Sequence, residues 1–284
     1  MHKYKRTIQN FLKNLFSRRM LPLLACIAGI LVVFILVTSM GGSDDTIKPE
    51  DTALSEHARI HVGLVPDNGP MCTADEEKGT FSGYEFELIR TILRDCYPDI
   101  PVEYTVVDSQ IASYQLRNGV IDLAIGTFAK DVTKTQGLSQ SVSYYTDSLY
   151  AYVPQNSSIS ALAELQGHTV YLASTEFPIK AAKAGFTELG IELDTVSCSS
   201  YPDAFDALNS GNAAALIGPR CRMDALSADL KRIDQRIGDV PYRILAWTDN
   251  SDAISLINVK LNEMLNSGAL DDLRAKYGLE VSEK

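Results

Sequence analysis

Residues 102–126, VEYTVVDSQIASYQLRNGVIDLAIG, read as strand, helix, strand. Val102–Val107 is rich in β-branched and aromatic side chains, which suit a pleated, half-buried surface. Ile111–Arg117 reads as a short helix closed by Asn118-Gly119, since glycine readily takes the left-handed conformation that ends a helix. Val120–Ile125 is apolar enough to be a second strand. Two strands joined through a helix form a crossover unit, and strands alternating with helices imply parallel sheets covered on both faces.

The same alternation extends in both directions. Upstream, Arg59–Leu64 alternates apolar and polar residues as a strand does. A turn-rich hairpin follows through Lys78-Gly79 to Gly83. Tyr84–Cys96 then sets Leu88, Ile89, Ile92 and Leu93 on one helical face. Downstream, strands are expected at Ser148–Val153, Thr169–Ala173, Leu193–Cys198, Ala213–Ile217 and Tyr242–Trp247. Helices are expected at Phe177–Leu189 and Asp203–Leu208. A last helix carrying Ile254, Ile257, Leu261, Met264 and Leu265 stops at Gly268 and resumes over Leu270–Tyr277. Two such clusters, divided near residue 150, predict an α/β fold of two lobes with parallel sheets and helices on both faces. No repeat of fixed period is present.

Charge separates the N-terminus from the rest. Residues 1–40 hold six lysines and arginines and no acid, so the chain's net charge of −10 becomes −16 once they are set aside. A folded part that acidic repels phosphate backbones, which argues against nucleic acid as a partner. Met20–Met40, MLPLLACIAGILVVFILVTSM, carries no charge and is long enough to cross a bilayer as a helix. Arg18 and Arg19 precede it and Asp44 and Asp45 follow it, so the positive-inside bias predicts a single-pass anchor over 20–40. Residues 1–19 then lie in the cytoplasm and the folded part on the extracytoplasmic side of the cell membrane. Two rival readings are a cleaved signal peptide and a lipoprotein signal at Leu23-Leu24-Ala25-Cys26. Residues 41–57 are polar and read as a flexible stalk.

Cys72, Cys96, Cys198 and Cys221 fall in the exported part, where disulfides are permitted. Cys198 ends one expected strand and Cys221 lies just beyond another. Ends of neighbouring parallel strands lie on the same side of a sheet, so a Cys198–Cys221 disulfide is expected if their Cα atoms come within about 7 Å. Neither C-x-x-C nor a Cys/His cluster with metal-ligand spacing occurs, and no cofactor is implied. His57 and His61 flank a strand pattern and read as surface residues.

Four stretches, in this order and spacing over residues 58–280, carry a family resemblance. They are Phe81-Ser82-Gly83-Tyr84-Glu85-Phe86-Glu87-Leu88; Leu116 to Gly126; Ser141-Val142-Ser143-Tyr144-Tyr145 followed by Leu162-Ala163-Glu164-Leu165-Gln166-Gly167; and Leu261 to Leu273 with Lys276-Tyr277-Gly278. Together they resemble the polar-amino-acid type of bacterial solute-binding protein, the extracellular receptor of ABC importers. The resemblance implies a two-lobed, periplasmic-binding-protein-like clamp of type II. Lobe 1 would comprise 58–150 and 249–284, lobe 2 would comprise 151–248, and crossings would lie near Ala151–Pro154 and Leu245–Asp249. It further implies a small polar solute between the lobes, an ABC permease as partner, and no catalysis.

In open α/β sheets ligands bind beyond the carboxyl ends of strands, where helix N-termini present free N–H groups. Thr127, and Ser174-Thr175-Glu176, follow strand ends and are candidate ligand contacts. Asp67 is a further candidate ligand contact. By the resemblance, the aromatic platforms of the family's pocket fall on Asn68 or Gly69 and on Ser109. Its carboxylate-binding arginine falls on Lys134. Its ammonium-binding acid falls near Gly218-Pro219, just before Arg220. Lysine is a point charge without arginine's bidentate fork, and a buried ammonium group without a carboxylate partner is costly. The expectation is therefore a small anionic or strongly polar solute held by Lys134 and Arg220, not an ordinary amino acid. Two other functions stay open. One is a sensory or assembly module that has lost its ligand. The other is an exported dehydratase-like enzyme using Glu176 as general acid.

Overall fold

The structure, a computed structural model, describes residues 47–279 apart from 67–68, 76, 130–136, 174–175, 199–200 and 227–228; of residue 173 and residues 176–178 it describes the backbone only. The expected anchor at 20–40 lies outside the described residues. Among the described residues no helix is long and apolar enough to cross a membrane.

The described strands form three sheets. The first has the order β4 (Val102–Val106), β1 (Ile60–Leu64), β5 (Leu123–Ile125), β13 (Leu245–Trp247) and β6 (Leu138–Gln140). Here β1 runs parallel to β4 and β5, whereas β13 is antiparallel to β5 and β6. The second has the order β11 (Leu230–Arg232), β7 (Tyr145–Pro154), β10 (Ala215–Pro219), β8 (Thr169–Ala173) and β9 (Asp194–Cys198). In it β12 (Gly238–Tyr242) also pairs with β7. β2 (Thr73–Asp75) and β3 (Thr80–Ser82) form the expected hairpin.

Both large sheets are mixed, which corrects the expectation of parallel ones. The crossover strands β8, β9 and β10 are parallel, but β7 is antiparallel to β10, β11 and β12. Antiparallel neighbours need no crossover helix, and β7 and β13 are the strands by which the chain changes sheets. By sheet membership it leaves the first sheet between Gln140 and Tyr145 and returns between Tyr242 and Leu245. The single strand expected over Tyr242–Trp247 is thus the end of β12 and all of β13, in different sheets, with Arg243 and Ile244 between them.

The helices are α1 (Tyr84–Cys96), α2 (Ala112–Arg117), α3 (Glu176–Glu188), α4 (Tyr201–Asn209), α5 (Arg220–Leu226), α6 (Ser251–Ser267) and α7 (Ala269–Lys276). α1 buries Leu88, Ile89, Ile92, Leu93 and Cys96, the face its periodicity announced. Burying each of its leucines and isoleucines contributes about 1.5–3 kcal/mol. Gly83 precedes this helix with φ 113°, and a Cβ there would sit 2.6 Å from the Met71 carbonyl oxygen.

The polar stretch expected to be a stalk is ordered from Ile47 onward. Pro49–Asp51 and Ala53–Glu56 form short 3-10 helices, and Leu54 is fully buried. Thr52 Oγ1 lies 2.8 Å from the Tyr97 hydroxyl, and the Ala53 amide donates to Asp252 Oδ2 at 2.8 Å. One buried leucine and two tertiary hydrogen bonds fasten what composition alone presents as linker.

Leu88→Ala is expected to lower the unfolding free energy by about 2–5 kcal/mol, the usual cost of an emptied core position. Gly83→Ala is expected to lower it by about 1–3 kcal/mol through backbone strain. Urea denaturation measures both, and an unchanged midpoint in either would contradict the packing described.

Candidate functional site

The carboxyl end of β5 carries Gly126 and Thr127. Thr127 holds φ 49°, a left-handed conformation that a branched side chain rarely adopts. Its amide donates to Glu85 Oε1 at 2.7 Å. Glu85 stands in the first turn of α1 and is fully buried. The same oxygen accepts the hydroxyl of Tyr144, whose ionisation burial and Glu85 push far up, so it remains a donor. The Tyr144 carbonyl accepts from the Tyr84 hydroxyl and from Arg274 Nη2, both at 2.9 Å. Tyr144 therefore ties α1 and α7 to the start of the crossing into the second sheet.

Three residues on, Asp147 makes the corresponding join to the second sheet. Its carboxylate is buried, and Oδ2 accepts the Cys221 amide at 3.1 Å, the Cys221 thiol at 2.8 Å and the Tyr242 hydroxyl at 3.2 Å. Oδ1 accepts the Ser148 amide at 2.8 Å. Tyr145 packs against Tyr242 with ring centroids 6.2 Å apart.

Beside this join lies a cavity of about 240 Å³. Pro70, Gly278 and Leu279 line it from the chain around α1 and α7. Arg220, Cys221, Asp224 and Ala225 line it from α5, and Tyr145 lies between them. Arg220 Nε is 3.3 Å from Asp224 Oδ2, one helical turn along. Asp224 also accepts the Tyr152 hydroxyl at 2.7 Å and lies 3.4 Å from Arg232 Nη1. The cavity thus presents a cation and an anion side by side.

Of the expected site residues, Arg220 lines this cavity and Thr127 sits in the Glu85 network. Ser109 lies in the Asp108 turn ahead of α2, half-buried, and is not among the cavity's lining residues. Asp67, Asn68, Lys134, Ser174 and Thr175 lie outside the described residues, and Glu176 is described only as the start of α3. The residues that sequence reading passed over are Glu85, Asp147, Asp224 and Tyr242. Asp147 had a signal: it is the lone acid in YTDSLYAYV, a strand otherwise apolar or aromatic enough to be buried. Asp224 had none, since an acid in a short helix is ordinarily a solvated one.

The Cys198–Cys221 disulfide is not formed. β8 lies between β9 and β10, so the two strand ends stand two spacings apart, about 9.5 Å, beyond the reach of a disulfide. Cys198 Sγ donates instead to the Leu172 carbonyl at 3.7 Å and Cys221 Sγ to Asp147. His57 and His61 flank Asp122, with Nδ1 atoms 3.3 and 3.5 Å from its two oxygens. Among the described residues no cluster of His, Cys, Asp and Glu is arranged to hold a metal ion.

Burial raises the Asp147 carboxyl above its ordinary value, against the opposing donors from Cys221, Ser148 and Tyr242. The folded state then keeps a proton that the unfolded chain has already released. The stability Asp147 contributes is full below the unfolded value and is lost as pH rises through the folded one. Asp147→Asn cannot ionise. The variant's stability relative to wild type should therefore improve as pH rises from the acidic range towards neutrality, read from urea denaturation at several pH values. A difference independent of pH would show that Asp147 titrates as an ordinary surface acid.

Among solved structures the chain resembles a mutant of ArgBP from T. maritima, at 20% identity and a TM-score of 0.61, covering 79% of this chain and 96% of that one. It also resembles an arginine 3rd transport system periplasmic binding protein from Legionella pneumophila, at 18% identity and a TM-score of 0.64, covering 77% and 99%. An ancestral arginine-binding protein bound to arginine matches at 22% identity and a TM-score of 0.61, covering 78% and 98%. Likeness at such identities establishes the two-lobed fold. No curated protein sequence matches. The model of one family matches residues 60–280, spanning both large sheets and the cavity between them, and by that match the chain belongs to the bacterial extracellular solute-binding proteins, family 3.

Proposed function

We propose that this chain is a binding receptor and not an enzyme. It captures a small polar solute with an anionic group between its two lobes and delivers it to an ABC permease. The observation that carries the reading is Arg220, a guanidinium lining a cavity whose walls come from both sides of the crossing. Arginine suits a carboxylate or phosphate because its planar fork donates two parallel hydrogen bonds. Thr127, Asp67, Asn68, Ser109, Lys134, Ser174, Thr175 and Glu176 complete the proposed contact set. Membership of a family of extracellular solute-binding proteins supports the function class.

Asp224 favours a second reading, an α-amino acid. It supplies a carboxylate beside Arg220, so that the ammonium and carboxylate of one ligand each have a partner. One of the similar structures, an ancestral arginine-binding protein bound to arginine, agrees with this reading. The two readings differ in what Asp224 does. Against an anion it repels, and against an amino acid it attracts.

Calorimetric titration of the full chain in detergent with succinate, inorganic phosphate, L-arginine and L-glutamine decides between them. Arg220→Ala is expected to weaken whichever probe binds by about tenfold or more, the effect of one charge-assisted hydrogen bond. Asp224→Asn is expected to strengthen an anion and to weaken an amino acid. Binding undiminished in Arg220→Ala would remove Arg220 from the site.

The reading also keeps Met20–Met40 attached as a membrane anchor, with the folded part outside. Mass spectrometry of membrane-extracted protein is expected to find the stretch intact. A mature N-terminus between residues 26 and 45 would overturn the anchor.

A further inference from the structure

The two buried carboxylates do parallel work on opposite sides of one crossing. Glu85 accepts the amide of Thr127, at the end of a first-sheet strand, and the hydroxyl of Tyr144, where the crossing begins. Asp147 lies in the crossing itself and accepts the amide and thiol of Cys221, the residue after Arg220. It also accepts the hydroxyl of Tyr242, at the end of β12, where the chain starts back to the first sheet. The two crossings are bonded to each other through the Tyr144 amide and the Tyr242 carbonyl at 3.1 Å. Thr127 is thus one bond, and Arg220 one residue and one bond, from a carboxylate that also holds a crossing. Between the two held positions, Tyr144 and Asp147, only Tyr145 and Thr146 intervene.

We propose that Glu85 and Asp147 are positioning residues that couple occupancy of the cleft to movement of the crossings. The inference rests on the capture of a solute between the lobes. A solute drawing on the Thr127 backbone pulls on Glu85 and through it on Tyr144. A solute drawing on Arg220 shifts the start of α5 and, through the Cys221 amide, Asp147 and Tyr242. Neither carboxylate needs to touch the solute. Their geometry matters because a buried carboxylate resists losing any donor, so displacement of one donor moves the others. In Glu85→Gln or Asp147→Asn the side chain keeps its shape but exchanges an accepting oxygen for an NH2 that faces other donors, which weakens this linkage.

The chain carries its own reporter. Trp247 is the only tryptophan in the sequence and ends β13, directly after the return crossing. Its ring lies close against Gly137, and the Arg117 guanidinium stands 5.9 Å from its centroid. The experiment titrates the full chain in detergent with L-arginine, L-glutamine, succinate and phosphate, reading affinity by calorimetry and the crossing by Trp247 fluorescence. In Glu85→Gln and in Asp147→Asn, the probe that binds wild type is expected to bind roughly tenfold more weakly, as for loss of one charge-assisted bond. At saturation the fluorescence change should be smaller than the wild-type amplitude, because occupancy then biases the crossing less. A merely structural role would weaken binding without altering the amplitude at saturation, so an undiminished amplitude in both variants overturns the proposal while leaving solute capture intact. If wild type binds none of the probes by calorimetry, the capture reading fails and this inference with it. Where a carboxylate variant does not fold, Tyr144→Phe and Tyr242→Phe remove the crossing-side hydroxyls with both acids in place, and the same two outcomes apply.

Discussion

A carboxylate buried away from water must be met by donors from the protein, and two such groups organise the centre of this molecule. Glu85 and Asp147 are both enclosed, and their donors come from helix starts, strand ends and crossings that are remote in sequence. An unsatisfied buried charge costs several kcal/mol, so the elements that supply these donors are held to one arrangement. Thr127 illustrates the force involved. It keeps a left-handed backbone that its branched side chain disfavours, and its amide points at Glu85.

The same constraint sets where the cavity lies. α5 begins where β10 ends, and the Cys221 amide, bonded to Asp147, fixes its first turn against the crossing. Arg220, one residue earlier, is thereby turned to the cavity, and Asp224 follows one helical turn later. Tyr152 and Arg232 hold Asp224 from the sheet. The result is a mixed-charge wall, where sequence reading expected a cationic one. A solute entering there meets arginine and carboxylate together, so the net charge it carries decides which of the two it engages.

Membership of the solute-binding family explains why such a join sits between two sheets. Capture between lobes needs each lobe to be rigid and the connection between them to have a defined path. The lobes obtain rigidity from parallel crossover strands packed under helices. The path comes from β7 and β13, which run against the crossover strands of their sheets and make both sheets mixed. The segment 47–56, docked by Leu54 and the Thr52–Tyr97 contact, shows that the folded unit reaches further towards the N-terminus than its polar composition suggests.

Local pattern was enough for much of this. The crossover unit at 102–126, the amphipathic face of α1, the hairpin before Gly83 and the stop at Gly268 depend on periodicity and turn residues within a few positions of one another. Four short motifs in order were enough to suggest the family. Arg220 was singled out only through that resemblance, as the residue after Gly218-Pro219. What tertiary structure alone decided is the pairing of groups far apart in the chain. Glu85 meets Thr127 and Tyr144 across 42 and 59 positions, and Asp147 meets Cys221 and Tyr242 across 74 and 95. Strand order belongs to the same class. By placing β8 between β9 and β10 it separated Cys198 from Cys221, and by sending Arg243 and Ile244 between sheets it divided one expected strand into two. An acid reads the same in sequence whether water or four donors surround it, because its environment is composed of distant residues that only the folded chain brings together.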